Sequence, residues 1–465
     1  MHAERVVRHL DSARLDFLDL DPERIEVTGD DPYLESAFPL GELAASALVA
    51  VGHAAAELAA LRDGPPRQVV RSDVRTAAAS LVGYRVQRID GRPLAVQASS
   101  RPTVAFHRGA DDRWIHLHGG FPELHDGTLR ILGIDKGTHV TYDRVSAAVG
   151  AWKAFDLEDA LADAGLCGAV ARTPAEWAAH PQGRAVGALA AVEISKLDDS
   201  PPEPLPIGCT QPLDGVRVLD LTRVLAGPTC GRTLAQHGAD VLRVGASQLP
   251  TLDRFVIDTG HGKRSTNLDL ARADDAARLR ELVRTADVVT QGYRPGALER
   301  RGFGADHLVS MRPGIVHVDV SCYGAVGPWR DRPGWEQLAQ SATGLAVTQG
   351  SEAEPALLPA AATDYMTGYL GALGALEALR RRATEGGSWL VEVSLCQTAR
   401  WLTAVGPSLD AADAKGLGSL DDLMTTVDTA WGLLDHLPPA VTLDRMPTRW
   451  TRPPSPLGTN RPHWH

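Results

Sequence analysis

The sequence predicts an α/β protein: a Rossmann-like, doubly wound parallel sheet in the C-terminal half, preceded by an α+β unit. Two observations carry this. After residue 215, apolar runs alternate with helical stretches: VRVLDL (216–221), CGRTLAQHGA (230–239), DVLRV (240–244), DLARADDAARLRELVRTA (269–286), DVVTQGY (287–293) and GIVHVDVSCYG (314–324). Strands separated by helices run parallel, and a parallel sheet needs helices on both faces. Second, SKLDDSPPEPLPIGCTQPLDG (195–215) holds five prolines beside a charge cluster and reads as an extended linker. The predicted division is a first unit over 1–200, a linker over 201–211, and a large domain over 212–465.

In chain order, residues 41–62 read as a helix and RQVVRSDVRTAAASLVGY (67–84) as a strand followed by a helix. RPTVAFHRG (101–109) and RWIHLHGG (113–120) read as short strands, and DRVSAAVGAW and DLEDALADAG as helices, together a small α+β subdomain near 100–190. Gly238 is placed to end the first helix of the large domain. An internal repeat crosses the linker. AELAALRDGPPRQVVRSDVRTAAASL (56–81) parallels ALEALRRRATEGGSWLVEVSLCQTARWL (375–402), setting Arg62 against Arg380 and placing the counterpart of Asp364 near Ser46.

Composition narrows the function classes. A net charge of −11 argues against nucleic acid or anionic membrane as the main partner. Five cysteines without CxxC spacing read as reduced thiols rather than a disulfide frame or zinc site. The charged N-terminus lacks a signal-peptide core, and the apolar run 44–61 contains His53 and Glu57 and is mostly Ala. The expectation is a soluble, cytoplasmic protein.

No GxGxxG follows the first strand, Gly227 stands alone before Pro228, and Gly245 holds the position of the expected acid. A dinucleotide-dependent dehydrogenase is rejected. Lys263 and Arg264 in GHGKRSTNLDL suit a phosphate or carboxylate contact, or form an exposed basic turn. Tyr293 and Arg294 sit at a strand exit, and Arg300 and Arg301 follow in a short helix. An aromatic beside arginines could stack an adenine and hold phosphates. His116 and His118 lack a third metal ligand and read as a structural pair, and HWH (463–465) reads as a loose chain end. No metal site is expected.

In TDYMTGYLGALGALEALRRR (363–382), Gly368, Gly371 and Gly374 recur every three residues. Each costs about 1 kcal/mol of helix stability relative to Ala, so their repetition implies a closely packed neighbouring backbone. Asp364 ahead of them is either a helix cap or a rigidly held nucleophile. Spacing leaves both open.

These blocks, in order, resemble the class III CoA-transferases, which include formyl-CoA and carnitine-CoA transferases and α-methylacyl-CoA racemase. The resemblance rests on LDLTRVLAGP, HGADVLRV, GKRSTNLDL, ADVVTQGYRPGALERRGFG, VSCYGAVGP, RPGWEQLAQSATG, DYMTG with LGALGALEALRRR, and MPTRWTRPPSPLG. It implies an acyl-CoA:carboxylate CoA-transferase in which Asp364 is the nucleophile, forming an aspartyl anhydride and then an aspartyl-CoA thioester. CoA would be a substrate, with no tightly bound cofactor; its binders would be Lys263, Arg264, Tyr293, Arg294 and Arg300, with Val224, Leu225 and Ala226 along its arm. The partners implied are an acyl-CoA, a carboxylic acid and a second copy in an interlocked homodimer. The helix N-terminus would hold Asp364 ionised.

Several positions depart from the family. Gly245 replaces a Glu, Gln291-Gly292-Tyr293 replaces Glu-Asn-Phe, Leu225 replaces a Gln, and Trp335-Glu336 stands where racemases place a His. A racemase is therefore the third choice, behind a catalytically silent CoA-binding or subunit-like protein. Residues 403–440 are too few for the family's small domain. Residues 37–200 are expected to supply it, together with a silent copy of the helix pair.

Overall fold

The computed structural model describes residues 2–62, 64–65, 67–94, 102–135 and 139–464. Arg101 and His465, the ends of two segments read from sequence, lie outside them. A seven-stranded sheet organises the molecule: β1 (Glu193–Asp198), β2 (Arg217–Asp220), β3 (Asp240–Gly245), β4 (Lys263–Asn267), β5 (Val288–Gln291), β6 (Val316–Ser321) and β7 (Ser388–Ser394). Its spatial order is β4-β3-β2-β5-β6-β7-β1. Every pairing is parallel except β7 with β1. The chain moves outward from β2 through β3 to β4, then returns to place β5 on the other side of β2. That reversal opens a crevice beyond the carboxyl ends of the strands, where such sheets receive ligands.

The helices that matter for the site are α1 (Leu40–Ala60), α2 (Val74–Ser80), α3 (Ala226–Gln236), α4 (Asp253–Thr259), α5 (Ala273–Val283), α6 (Glu336–Thr343), α7 (Ala362–Glu385) and α8 (Leu395–Val405). Gly238 follows α3 at φ 106°, a conformation that favours glycine. Helix α1 is long and apolar enough to cross a membrane, but most of it lies inside the protein. It packs against α7 and α2.

Helix α7 is held by what its glycines permit. A Cβ on Gly368 would stand 2.6 Å from the Ala226 carbonyl oxygen and 2.5 Å from Thr229 Cβ, so α3 crosses α7 at backbone distance. Gly371 faces Cys230 at 3.4 Å, and Gly374 opens onto Val391 and Val192 of the sheet. The close packing read from the three-residue spacing is therefore split between a helix and a sheet.

Strand β1 precedes the proline-rich seam yet joins the sheet formed after it, and one hydrophobic cluster runs through both parts of the chain. Arg62 fixes the seam. It is buried, and its guanidinium donates to the carbonyls of Pro206 (2.8 Å), Pro212 (2.7 Å) and Asp214 (2.7 Å). The repeat keeps its order in space: α1, strand Val70–Asp73 and α2 correspond to α7, β7 and α8, with Asp73 and Ser394 as the two N-caps. The buried arginine of the second copy is Arg382, bonded to Asp287 at 2.9 Å, whereas Arg380 only pairs with Glu377 near the surface. Counting from Arg382 moves the counterpart of Asp364 from Ser46 to Ala44, which is no acid either.

Residues 403–440 are not a separate layer. Strands Thr425–Thr429 and Gly432–His436 form a hairpin that adds to Arg88–Ile89, and Val441–Leu443 pairs with Val70–Asp73. The chain end is anchored, contrary to the loose end expected from HWH: Trp464 donates to Leu282 O at 3.3 Å, and Arg217 lies over its ring.

The two glycines predict opposite results. Gly368→Ala should lose about 1–3 kcal/mol of stability from overpacking against a backbone carbonyl that cannot yield. Gly371→Ala should be neutral or gain up to about 1 kcal/mol, because its neighbours stand at ordinary contact distance. Urea unfolding of the two variants beside the wild type checks both.

Candidate active site

The first turn of α7 is capped by another helix. Its N-cap residue, Ala361, has no side-chain acceptor. Glu336, the first residue of α6, takes that role: its Oε1 accepts from the Thr363 backbone N–H at 3.0 Å and from Thr363 Oγ1 at 3.1 Å. It also bonds the Asp364 backbone. The Asp364 side chain is thereby free of capping duty, and among the described residues no hydrogen bond reaches its carboxylate. It is half-buried and faces a cavity of about 470 Å³. Capping, one of the two sequence readings of Asp364, falls to Glu336 in space. Sequence reasoning used Glu336 only as a departure from the racemases, because the bond to Thr363 spans 27 residues and leaves no periodic trace.

Burial pushes the Asp364 carboxyl well above the usual carboxylate range, and the nearby Glu336 charge raises it further. Burial also raises Glu336, to about 7, against the pull of its hydrogen bonds to Thr363, the Asp364 backbone and Gln340. The expectation that the helix terminus keeps Asp364 ionised is corrected. A helix dipole contributes about 0.3–1 kcal/mol, less than desolvation beside a second acid.

The turn after β2 supplies one wall. Val224 lies at φ 68°, a strained left-handed position for a β-branched residue, and with Leu225 it lines the cavity. Ala226 stands behind that wall, where its carbonyl meets Gly368. The opposite wall comes from the N-terminal half. Trp335 is flanked by His118 and Phe121, both with ring centroids at 5.2 Å. Burial depresses His118 to about 3, so the imidazole is neutral, and its Nδ1 has no partner among the described residues. His116 is equally depressed and sits edge-on against Phe106. Each ring of the HLH pair is thus packed against an aromatic side chain. The small subdomain is tied to α6 by the Arg172 N–H donating to Ser341 O at 3.0 Å.

Residues 213–416 match the family model described as CoA-transferase family III. Over that span the chain is similar to CoA-transferase family III. It is 33% identical over 319 residues to the acetyl-coenzyme A transferase nodX of Hypoxylon pulicicidum, covering 64% of this chain and 53% of that protein. It is 36% identical over 206 residues to the succinyl-CoA–L-malate CoA-transferase beta subunit of Chloroflexus aurantiacus, covering 41% and 50%. It is 36% identical over 209 residues to the formyl-CoA:oxalate CoA-transferase of Rhodopseudomonas palustris, covering 42% and 49%. The chain spans about half the length of these relatives.

Within the matched region, the residues expected at CoA are dispersed. Lys263 is buried, and its ammonium donates to Asp220 Oδ2 and Pro228 O, both at 2.6 Å. It braces β4 against the first turn beneath Gly231, where a Cβ would touch both charges. Arg264 is buried and grips Asp240 bidentately at 2.9 and 2.8 Å while donating to His463 O. Neither is an exposed basic turn. Arg294 reaches Gly165 O at 2.9 Å and so ties the small subdomain to the sheet. Arg300 is exposed and lies over Gly296.

Tyr293 lines a separate cavity of about 250 Å³ at the sheet's carboxyl edge, with Gly245, Leu268 and Leu298; Arg301, not Arg300, joins it there. A narrow cleft between the cavities carries two arginines absent from the sequence reading, Arg223 and Arg243. Arg243 Nη1 is buried with no acceptor among the described residues. Its one sequence signal was a cation near the end of an otherwise apolar strand.

Both carboxyls are raised by folding, so between about pH 4 and their folded values the folded chain binds more protons than the unfolded chain. Their contribution to stability therefore falls as pH rises through that window. Glu336→Gln keeps an acceptor for the cap and removes one charge, so the loss of stability between pH 5 and pH 7.5 should shrink. Glu336→Ala should instead cost about 1 kcal/mol at either pH through the lost cap. Unfolding curves at the two pH values separate these effects.

Proposed function

We propose that the chain is an acyl-CoA transferase that moves CoA from an acyl-CoA donor to a carboxylic acid through covalent intermediates on Asp364. The observation that carries this reading is a carboxylate at a rigid helix terminus, facing a cavity and relieved of capping by Glu336. Its attack on the thioester carbonyl breaks the C–S bond and gives a mixed anhydride with release of CoA thiolate. The thiolate then attacks the Asp364 carbonyl, expels the donor's carboxylate and leaves an aspartyl-CoA thioester. An acceptor carboxylate displaces the thiolate to form a second anhydride, and the thiolate attacks the acceptor's acyl carbon, freeing Asp364. Every step exchanges one acyl bond for another, so thioester energy is conserved only if water stays out. The aromatic wall of Trp335, Phe121 and His118 and the tight α3–α7 contact favour that exclusion.

CoA is placed in the same reading with its arm past Val224 and Leu225 and its adenosine toward the cavity of Tyr293. Lys263 and Arg264 then act as braces for that surface rather than as ligands, and Arg223 and Arg243 face the phosphates. An interlocked homodimer belongs to the proposal. So does the role of the N-terminal half, which brings a small-domain wall to Asp364 and a second helix pair without an acid.

Incubation with acyl-CoA followed by hydroxylamine should label Asp364, detected by peptide mass, and Asp364→Ala should abolish the label. CoA binding with no label on any residue would instead make the chain a silent CoA-binding protein. Because attack needs the ionised carboxylate and Asp364 titrates high, the labelling rate should rise with pH. Glu336→Gln should move that rise to lower pH, since it removes a like charge.

A further inference from the structure

Among the described residues that line the Asp364 cavity, Arg254 is the one lysine or arginine. It stands at the start of α4, half-buried, with its guanidinium over the rings of Tyr84 (5.4 Å) and Phe255 (5.0 Å). Of the neighbouring cations, Arg223 is engaged on Pro250 O, Lys263 on Asp220, Arg264 on Asp240 and Arg294 on Gly165 O, while Arg243, whose Nη1 also lacks an acceptor, lines the adjoining cleft and not this cavity. Arg254 differs. Its Nε–H is buried without an acceptor, and among the described residues no ion pair or hydrogen bond reaches its guanidinium. Two aromatic faces hold the plane of the group and leave its edge, a fork of N–H donors, unused. Such a fork fits a carboxylate through two parallel hydrogen bonds. Asp253, and Glu336 and Asp364 once they are ionised, repel an anionic substrate, so a substrate bearing a second carboxylate needs a countercharge there.

We propose that Arg254 receives the distal carboxylate of a dicarboxylic acyl group, so that the acids exchanged on Asp364 are short dicarboxylic acids. The inference rests on the acyl-transfer reading above and makes Arg254 the residue that sets acyl specificity. The cavity of about 470 Å³ lies within the size range of sites that enclose small molecules. In a transferase the donor and acceptor chains occupy this space in turn, so one arginine serves both halves of the reaction.

The anion on Arg254 has one competing source, a phosphate of CoA itself, and the test separates the two. Succinyl-CoA, butyryl-CoA and free CoA are titrated calorimetrically into Asp364→Asn, which cannot turn over, with and without Arg254→Gln. Succinyl-CoA and butyryl-CoA have the same four-carbon length and differ in the distal carboxylate. Arg254→Gln should weaken succinyl-CoA by about 10- to 100-fold, the worth of a charge-assisted contact. Butyryl-CoA and CoA should change by less than about twofold, which also shows that the variant folds. Equal weakening of all three ligands assigns Arg254 to a phosphate and overturns the proposal. Unchanged succinyl-CoA affinity overturns it as well. In parallel, Arg254→Gln with Asp364 intact should lower kcat/KM for succinyl-CoA as donor and spare butyryl-CoA. Hydroxylamine labelling of Asp364 in that same variant reports independently on the transferase reading.

Discussion

The hydrogen bonds from Thr363 to Glu336 decide what the site can be. A helix that starts in the interior must satisfy its first N–H groups. An acid in the first turn would ordinarily be drawn back to do so. Here α6 presents an acid across space, and Asp364 keeps its oxygens for the cavity. The arrangement also sets the electrostatics, because the capping carboxylate is a like charge beside Asp364. Cap, orientation and raised proton affinity are therefore consequences of one contact between two helix termini.

That contact holds only if α6 and α7 are fixed relative to the sheet. Gly368 lets α3 approach α7 at backbone distance, which locks α7 over the crevice where the strand order reverses. Buried cations then fasten the layers. Lys263 ties β4 to the end of β2, Arg382 ties α7 to Asp287 ahead of β5, and Arg62 holds the proline-rich seam by three carbonyls. Each is matched by acceptors within the protein, as an isolated interior charge would not be tolerated. Removing one such cation leaves its partners unpaired, so these residues shape the site without touching it.

The strand–helix alternation after residue 215 was legible, as was the close packing at Gly368 and the placement of Asp364 at a helix start. Those signals are local: periodicity, glycine spacing and a polar residue ahead of an apolar run. The surroundings of the basic residues were not legible, for the opposite reason. Lys263 and Arg264 look like a solvent-facing pair within GHGKRS, yet both turn inward, because their acids Asp220 and Asp240 arrive from other strands. Arg254 and Arg243 carried no motif, and their significance lies in partners they lack.

By itself, the sequence determined the α/β class, the doubly wound sheet, the family resemblance and the place of Asp364 at a helix start, because these depend on order and spacing along one chain. Tertiary structure decided which acid caps and which faces the cavity, which cations are braces, and that the N-terminal half supplies a wall beside Asp364. Those outcomes depend on distances between segments far apart in the chain, such as Thr363 N to Glu336 at 3.0 Å and Lys263 to Asp220 at 2.6 Å. A hydrogen-bond partner or a depressed dielectric exists only after the layers close, and no spacing rule within one segment encodes it.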